Sequence, residues 1–243
     1  MMPSFTEDLC AIGARGSLVA VSQFTEDIAC AKGLPQVSNY SSINTEEVLS
    51  LHADTVVAIP AQRAMTAALR RAGVAAVYLR NDSYADLFTD IAALGALTGR
   101  SHQASALISS LRRRTRELQA AERFRRRPAV FVAVQAQPIW TVGAQSYIST
   151  LIDLAGGRNA AANLAAPYAQ YSAEALLRLQ PDAIIAGNDT QLSSLLGKEP
   201  WRSLHAVRAH HVYIYNAAFL DRPGPRYNEG LSWLIERLRP LGR

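Results

Sequence analysis

"NTEEVLSLHADTVVA" at residues 44–58 and "SAEALLRLQPDAIIA" at residues 172–186 align without a gap, although they lie half a chain apart. Glu46 falls on Glu174, Leu49 on Leu177, Leu51 on Leu179, Asp54 on Asp182 and Ala58 on Ala186. Each copy has the same physical logic. Asn44 or Ser172 is a side-chain cap for a helix, and an acidic residue follows in the first turn, where the helix dipole favours negative charge. A short helix with leucines on one face stops at "HAD" or "QPD". A run of β-branched and small apolar residues, "TVVAI" or "AIIAG", then predicts a buried strand. Repetition of a whole helix–strand unit predicts two related lobes.

The surrounding sequence fits that plan. "SLVAVS" (17–22), "AAVYLR" (75–80), "AVFVAV" (129–134) and "HVYIYN" (211–216) are further strand candidates. Helical patterns such as "AMTAALRRAG" (64–73) separate them, and strands alternating with helices predict parallel sheets built from βαβ units. Residues 84–123 are helical in pattern almost throughout, with an interruption near Thr98–Gly99. The expected fold class is therefore α/β: two lobes, each a mostly parallel sheet flanked by helices, joined by one long rigid helix. The expected division is 1–83 for the first lobe, 84–127 for the connecting helix and 128–243 for the second lobe.

Composition excludes several classes. The chain has 243 residues, 49% hydrophobic and 19% charged, enough to bury a substantial core. No apolar run reaches the roughly 18–20 residues a bilayer requires. The net charge of +5 raises the question of nucleic acid. Its arginines, however, concentrate in "LRRRTRELQAAERFRRRP" (111–128), where Phe124 is the sole aromatic. A nucleic-acid surface would interleave basic and stacking residues, so no nucleic-acid partner is expected. Cys10 and Cys30 show no CxxC spacing and no nearby histidine. Two buried free thiols are expected from that spacing, with a disulfide as the alternative for an exported chain, and no structural zinc site.

Near the C-terminus, "FLDRPGPRYNEGL" (219–231) sets Asp221, Arg222 and Arg226 among two prolines. Proline fixes φ and removes a backbone donor, so Pro223 and Pro225 restrict the orientation of these side chains. The segment reads as a stiff entry to a final amphipathic helix, or as a polar clamp at the edge of a ligand site.

Taken together, these segments resemble the helical-backbone substrate-binding proteins of ABC importers, the group that takes up vitamin B12, ferric siderophores and haem. "PSFTEDLCAIGARGSLVAVSQF" looks like that family's opening segment. "KGLPQVSNYSSINTEEVLSLHADTVVA" and "GRNAAANLAAPYAQYSAEALLRLQPDAII" are similar to its two lobe motifs, and "DRPGPRYNEGL" to its C-terminal motif. The resemblance covers the whole chain. It implies a ligand cleft between the lobes, lined by the loops after the strands, as open α/β sheets usually arrange. On the matched loops it points to Phe24, Tyr40 and Gln62 in the first lobe and to Trp140, Tyr168, Phe219 and Asp221 in the second. Arg222 is expected nearest the ligand, with Arg226 holding the last helix. Glu46 and Glu174 are expected to dock on a dimeric permease; as plain helix-start acids each would contribute about 0.3–1 kcal/mol.

The resemblance further implies an extracytoplasmic monomer without a catalytic step, a resident cofactor or a bound metal ion of its own. Its ligand would itself be a metal chelate: a ferric siderophore, cobalamin or haem. Two departures stand out. The family opens with a strand ahead of the "PSFTE" segment, where only Met1 and Met2 precede Pro3, so that strand and the export signal are expected outside these residues. Ile59 stands where vitamin B12 binders place a tryptophan, which weakens the case for cobalamin. The competing readings are a chelatase-like enzyme, which would bring His210 or His211 beside an acid in the cleft, and a non-transport ligand sensor on the same fold. No HExxH, GxSxG or glycine-rich phosphate loop occurs.

Overall fold

Two compact units make up the chain: residues up to Arg112 with Arg222–Pro225, and Arg113–Asp221 with the residues from Arg226 onward. The computed structural model describes residues 2–121, 124–188, 190–215 and 217–242.

In unit one, Pro3 starts helix α1 (Pro3–Ala11), where a missing N–H costs nothing. Strands β1 (Val21–Ser22) and β2 (Gln36–Ser38) follow, then helix α2 (Thr45–Ser50) and strand β3 (Thr55–Ala58). Helix α3 (Ala67–Arg71) returns the chain to strand β4 (Ala75–Tyr78). β1 pairs with β2 and β3 with β4, both parallel, as two separate two-stranded sheets. Asn44 caps α2, its Oδ1 accepting from the Glu47 N–H at 3.1 Å. Val37, Val48, Val56, Leu69 and Val74 form the core beneath these elements. Each contributes about 1.5–3 kcal/mol by leaving water.

Helix α4 (Tyr84–Leu97) packs against α1, and Phe5, Leu9, Leu87, Ile91 and Leu94 are among their buried side chains. The break expected near Thr98–Gly99 is present, with Gly99 at φ +67°, a conformation that glycine adopts at no steric cost. Helix α5 (Ser101–Ala120) then runs from residues of unit one into residues of unit two. Of the expected connecting segment, Glu122 and Arg123 lie outside the described residues.

Unit two begins with β5 (Ala129–Ala133), β6 (Gln135–Ala136) and β7 (Ile139–Val142). Helix α6 (Tyr147–Leu154), strands β8 (Arg158–Asn159) and β9 (Tyr168–Gln170), helix α7 (Ala173–Leu179) and strand β10 (Ala183–Gly187) come next. Helix α8 (His205–Arg208), strand β11 (Val212–Tyr215) and helices α9 (Ala217–Leu220) and α10 (Tyr227–Leu238) complete it. The main sheet is parallel, in the order β11-β10-β5-β8, and β6-β7-β9 form a small antiparallel sheet. Ser172 caps α7 as Asn44 caps α2, its Oγ accepting from the Ala175 N–H at 3.1 Å. Phe131, Leu176, Ile184 and Trp201 are wholly buried in the core of this unit.

Two expectations are corrected. The strand over 17–22 is confined to Val21–Ser22, with a 3-10 turn at Arg15–Ser17. Among the described residues β1 has a ladder partner on one side only, β2, so the residues before Val21 are not drawn into extended pairing. Cys10 and Cys30 are not free thiols. They form a disulfide, their Cα atoms 6.0 Å apart, because the 3-10 turn Ala29–Ala31 brings Cys30 back beside the last turn of α1. Neither sequence spacing nor composition encodes that return.

Candidate functional site

The candidate residues of unit one stand on the loops that leave the C-terminal ends of β1, β2 and β3. Phe24 follows β1, is 67% exposed and sits at φ +64°. An aromatic residue in the left-handed region costs of order 1–3 kcal/mol and is found where the surroundings impose it. Here Thr25 Oγ1 donates to the Ser22 carbonyl at 3.0 Å, and Arg222 Nη2 donates to the Phe24 carbonyl at 3.1 Å. Tyr40, 63% exposed, follows β2 on a turn organised by Asn39, whose Oδ1 accepts from the N–H groups of Ser41 and Ser42. Gln62 is buried rather than open to a ligand. Its Nε2 donates to the Tyr40 carbonyl at 3.0 Å, and its Oε1 accepts from the Ile59 N–H at 3.2 Å. Gln62 therefore positions Tyr40.

Arg222 is similarly engaged. Its side chain is 14% exposed, with Nη1 3.2 Å from Asp27 Oδ2 and 3.8 Å from Glu7 Oε2. Together with its bond to the Phe24 carbonyl, these contacts make Arg222 a brace for the loop that presents Phe24.

In unit two, the strands β5, β10 and β11 end around a small cavity of about 220 Å³, lined by Val134, Ile148, Tyr168, Gly187, Thr190, Tyr215 and Asp221. Tyr168 and Asp221 thus come together, and Tyr215 joins them: its hydroxyl donates to Asp221 Oδ1 at 2.6 Å. A cavity of this size is below the roughly 300–1,000 Å³ of small-molecule pockets, so it suits one edge or substituent of a larger ligand. Tyr168 is 49% exposed on β9, and Trp140, 37% exposed, stands on the neighbouring β7, opposite Gln170. Phe219 packs against Trp233, with ring centroids 6.3 Å apart, and does not line the cavity. Arg226 forms a fork to Glu229 at 3.0 and 2.8 Å, and this hydrogen bonding holds the Glu229 carboxyl below its usual range. The pair steadies the first turn of α10.

Glu46 and Glu174 are both exposed in the first turns of their helices, as the repeat requires. Glu174 also pairs with Arg178 at 2.8 Å, a surface contact contributing about 0.3–0.5 kcal/mol. His210 and His211 precede β11, at the opposite end of that strand from Tyr215, so neither faces the cavity. Among the described residues, no group of three or more His, Cys, Asp or Glu is arranged to hold a metal ion.

Tyr215, Thr190 and Gly187 were not singled out from the sequence. The signal available was position: Gly187 and Tyr215 end predicted strands, and ligands bind at the carboxyl ends of parallel strands. A groove of about 470 Å³ lies elsewhere, in unit one beside β1 and β3. It is lined by none of the exposed aromatics Phe24, Tyr40, Trp140 and Tyr168.

Strand-end loops carrying exposed aromatic side chains over buried polar braces, in two α/β units related by a sequence repeat, define a solute-binding protein. Residues 2–218 match the family model described as periplasmic binding protein, and the chain belongs to that family. It is 28% identical to the vitamin B12-binding protein of Vibrio parahaemolyticus over all of this chain and 89% of that protein. It is 26% identical to the substrate-binding lipoprotein YvrC of Bacillus subtilis, over 99% of this chain and 79% of that one. The crystal structure of the vitamin B12-binding protein BtuF of Vibrio cholerae superposes with a TM-score of 0.84 at 27% identity, covering 99% of this chain and 95% of that one. A periplasmic haem-binding protein of Pseudomonas aeruginosa shares the fold, with a TM-score of 0.85 at 23% identity over 99% and 91% of the two chains.

Proposed function

We propose that this chain is the extracytoplasmic solute-binding subunit of an ABC importer and that it captures a metal chelate for delivery to the permease. The observation that carries this reading is membership of the periplasmic binding protein family across residues 2–218. Full-length similarity to vitamin B12-binding proteins of Vibrio supports it. Exposed Phe24, Tyr40, Trp140 and Tyr168 suit a large planar or macrocyclic ligand, since aromatic rings bury much area at low entropic cost. The protein binds its ligand without a chemical step and holds no resident cofactor. It works as a monomer outside the cytoplasm, docking through Glu46 and Glu174. Against a chelatase, the two candidate histidines lie at the wrong end of β11.

Tryptophan-fluorescence and absorption titrations with cyanocobalamin, haemin and a panel of ferric siderophores test the proposal. Saturable one-to-one binding of one class, weakened about tenfold or more by Tyr168→Ala, is the expected result. Absence of binding across the whole panel would overturn it.

A further inference from the structure

The polar groups around the strand-end cavity of unit two share one property: their protons are already committed. Tyr215 gives its hydroxyl proton to Asp221 Oδ1 at 2.6 Å. Thr190 Oγ1 donates to the Gly187 carbonyl at 2.8 Å, and the Thr190 N–H donates to the same oxygen at 3.2 Å. The N–H of Asn188 goes to the Tyr215 carbonyl at 3.1 Å, and that of Val134 to the Trp140 carbonyl at 2.9 Å. A hydroxyl has one proton to give and two lone pairs to receive with, and a carboxylate only receives. Tyr215, Thr190 and Asp221 therefore offer a guest acceptors and no donor.

Charge points the same way. Asp221 is the sole charged residue among the described ones that line the cavity. The adjoining hollow of about 390 Å³ shares Gly187 and Thr190, and its described lining residues are all uncharged. Between Arg127 and Lys198 the sequence has only Arg158 and Arg178 as cations, and no histidine. Arg158 opens β8, and Arg178 stands in the last turn of α7 just ahead of β10. Both lie at the amino ends of the strands, away from the cavity. Arg226 is forked to Glu229, and Arg222 is held by Asp27 and the Phe24 carbonyl.

A carboxylate entering this cavity would bring lone pairs and negative charge to a site that already holds both. A primary amide, an amine or a hydroxyl would bring the missing proton. A polar group that leaves water here without finding a partner is selected against.

We infer that unit two selects its ligand by one rim substituent: the cavity takes a hydrogen-bond donor (a primary amide, an amine or a hydroxyl) and rejects a carboxylate. The ligand class is then a chelate with an uncharged or cationic rim. This inference rests on the proposed function, the capture of a chelate, and narrows the kind of chelate.

Matched pairs of chelates test it. Cyanocobalamin is compared with its monocarboxylic acids, in which a carboxylate replaces one peripheral amide. Haemin is compared with its diamide, and ferrioxamine B, which ends in an amine, with its succinylated form, which ends in a carboxylate. Calorimetric titration at neutral pH gives a Kd for each compound. Within any pair that binds, the donor-bearing member should bind at least about tenfold more tightly. Asp221→Asn keeps an acceptor for Tyr215 and adds an amide donor, so it should narrow that ratio to about threefold or less. Tyr168→Phe keeps the ring and should leave the ratio unchanged. An equal or reversed preference in a pair that binds would overturn the inference and leave chelate binding standing. So would a ratio that depends on Tyr168 and not on Asp221. Failure of every pair to bind would overturn the chelate reading, and this inference with it.

Discussion

Arg222 reaches back across most of the chain to Asp27, its Nη1 and Nη2 both within 3.3 Å of the carboxylate. The guanidinium expected nearest a ligand ties the "RPGP" segment to the loop after β1. Glu7, 9% exposed, shares it. Removing one partner of a mostly buried ion pair leaves the others without compensation, which costs several kcal/mol when burial is complete. Because Asp27 is 37% exposed, solvent screening lowers that figure. Arg222→Ala is expected to destabilise the protein by about 2 kcal/mol, with Arg222→Lys restoring less than half. The urea midpoint measures this, and an unchanged midpoint would refute the bracing role.

Phe24 should show stability and binding moving in opposite directions. Phe24→Gly relieves a positive φ and is expected to gain about 1 kcal/mol, offset in part by unfolded-state entropy, while binding of the chelate weakens. Phe24→Ala keeps the backbone cost and loses the ring. A stability increase with glycine but not alanine, seen in thermal melts, checks the assignment.

Asp90 gives the fold a pH dependence. Burial, with Asp86 and Asp82 nearby and despite the Asn81 N–H it accepts, raises its pKa to about 7. Asp8, wholly buried on α1 beside Glu7 and Asp90, is also pushed up, first by burial. A carboxyl raised above its unfolded value near 3.9 stabilises the fold while protonated, and that contribution is lost as pH rises through the folded value. Stability should therefore fall between about pH 4 and pH 7, and Asp90→Asn should flatten the decline. A wild-type Tm that rises over this interval would contradict the reading.

Tyr215→Phe removes the donor that orients Asp221 without changing the packing of the ring. If the strand-end cavity holds an edge of the ligand, affinity should fall about threefold to tenfold with little change in Tm. A purely structural Tyr215 would lower Tm and leave Kd alone.

Much of this architecture is legible in the residues. Asn44 and Ser172 announce their helices because a cap is a local contact, and "TVVA" and "AIIAG" announce strands because apolar runs of that length have few other uses. Tyr168 and Asp221 were legible as strand-end positions. Asp8 and Asp90 were not, since each looks like an ordinary helix acid until α1 and α4 pack together. The partners of Gln62 and Arg222 were not legible, because sequence names a donor but not what it donates to. The 3-10 turn that returns Cys30 to Cys10 leaves no mark on spacing.

The Cys10–Cys30 bond carries a last consequence. It ties the end of α1 to the segment after β1, closing a loop between residues 20 apart in sequence, and such a closure contributes about 3 kcal/mol. In a reducing cytosol the two thiols stay apart and unit one lacks that clasp. A chain of this family works outside the cytoplasm, so its tightest form arises on arrival: the compartment, acting as oxidant, sets the last stitch of the fold.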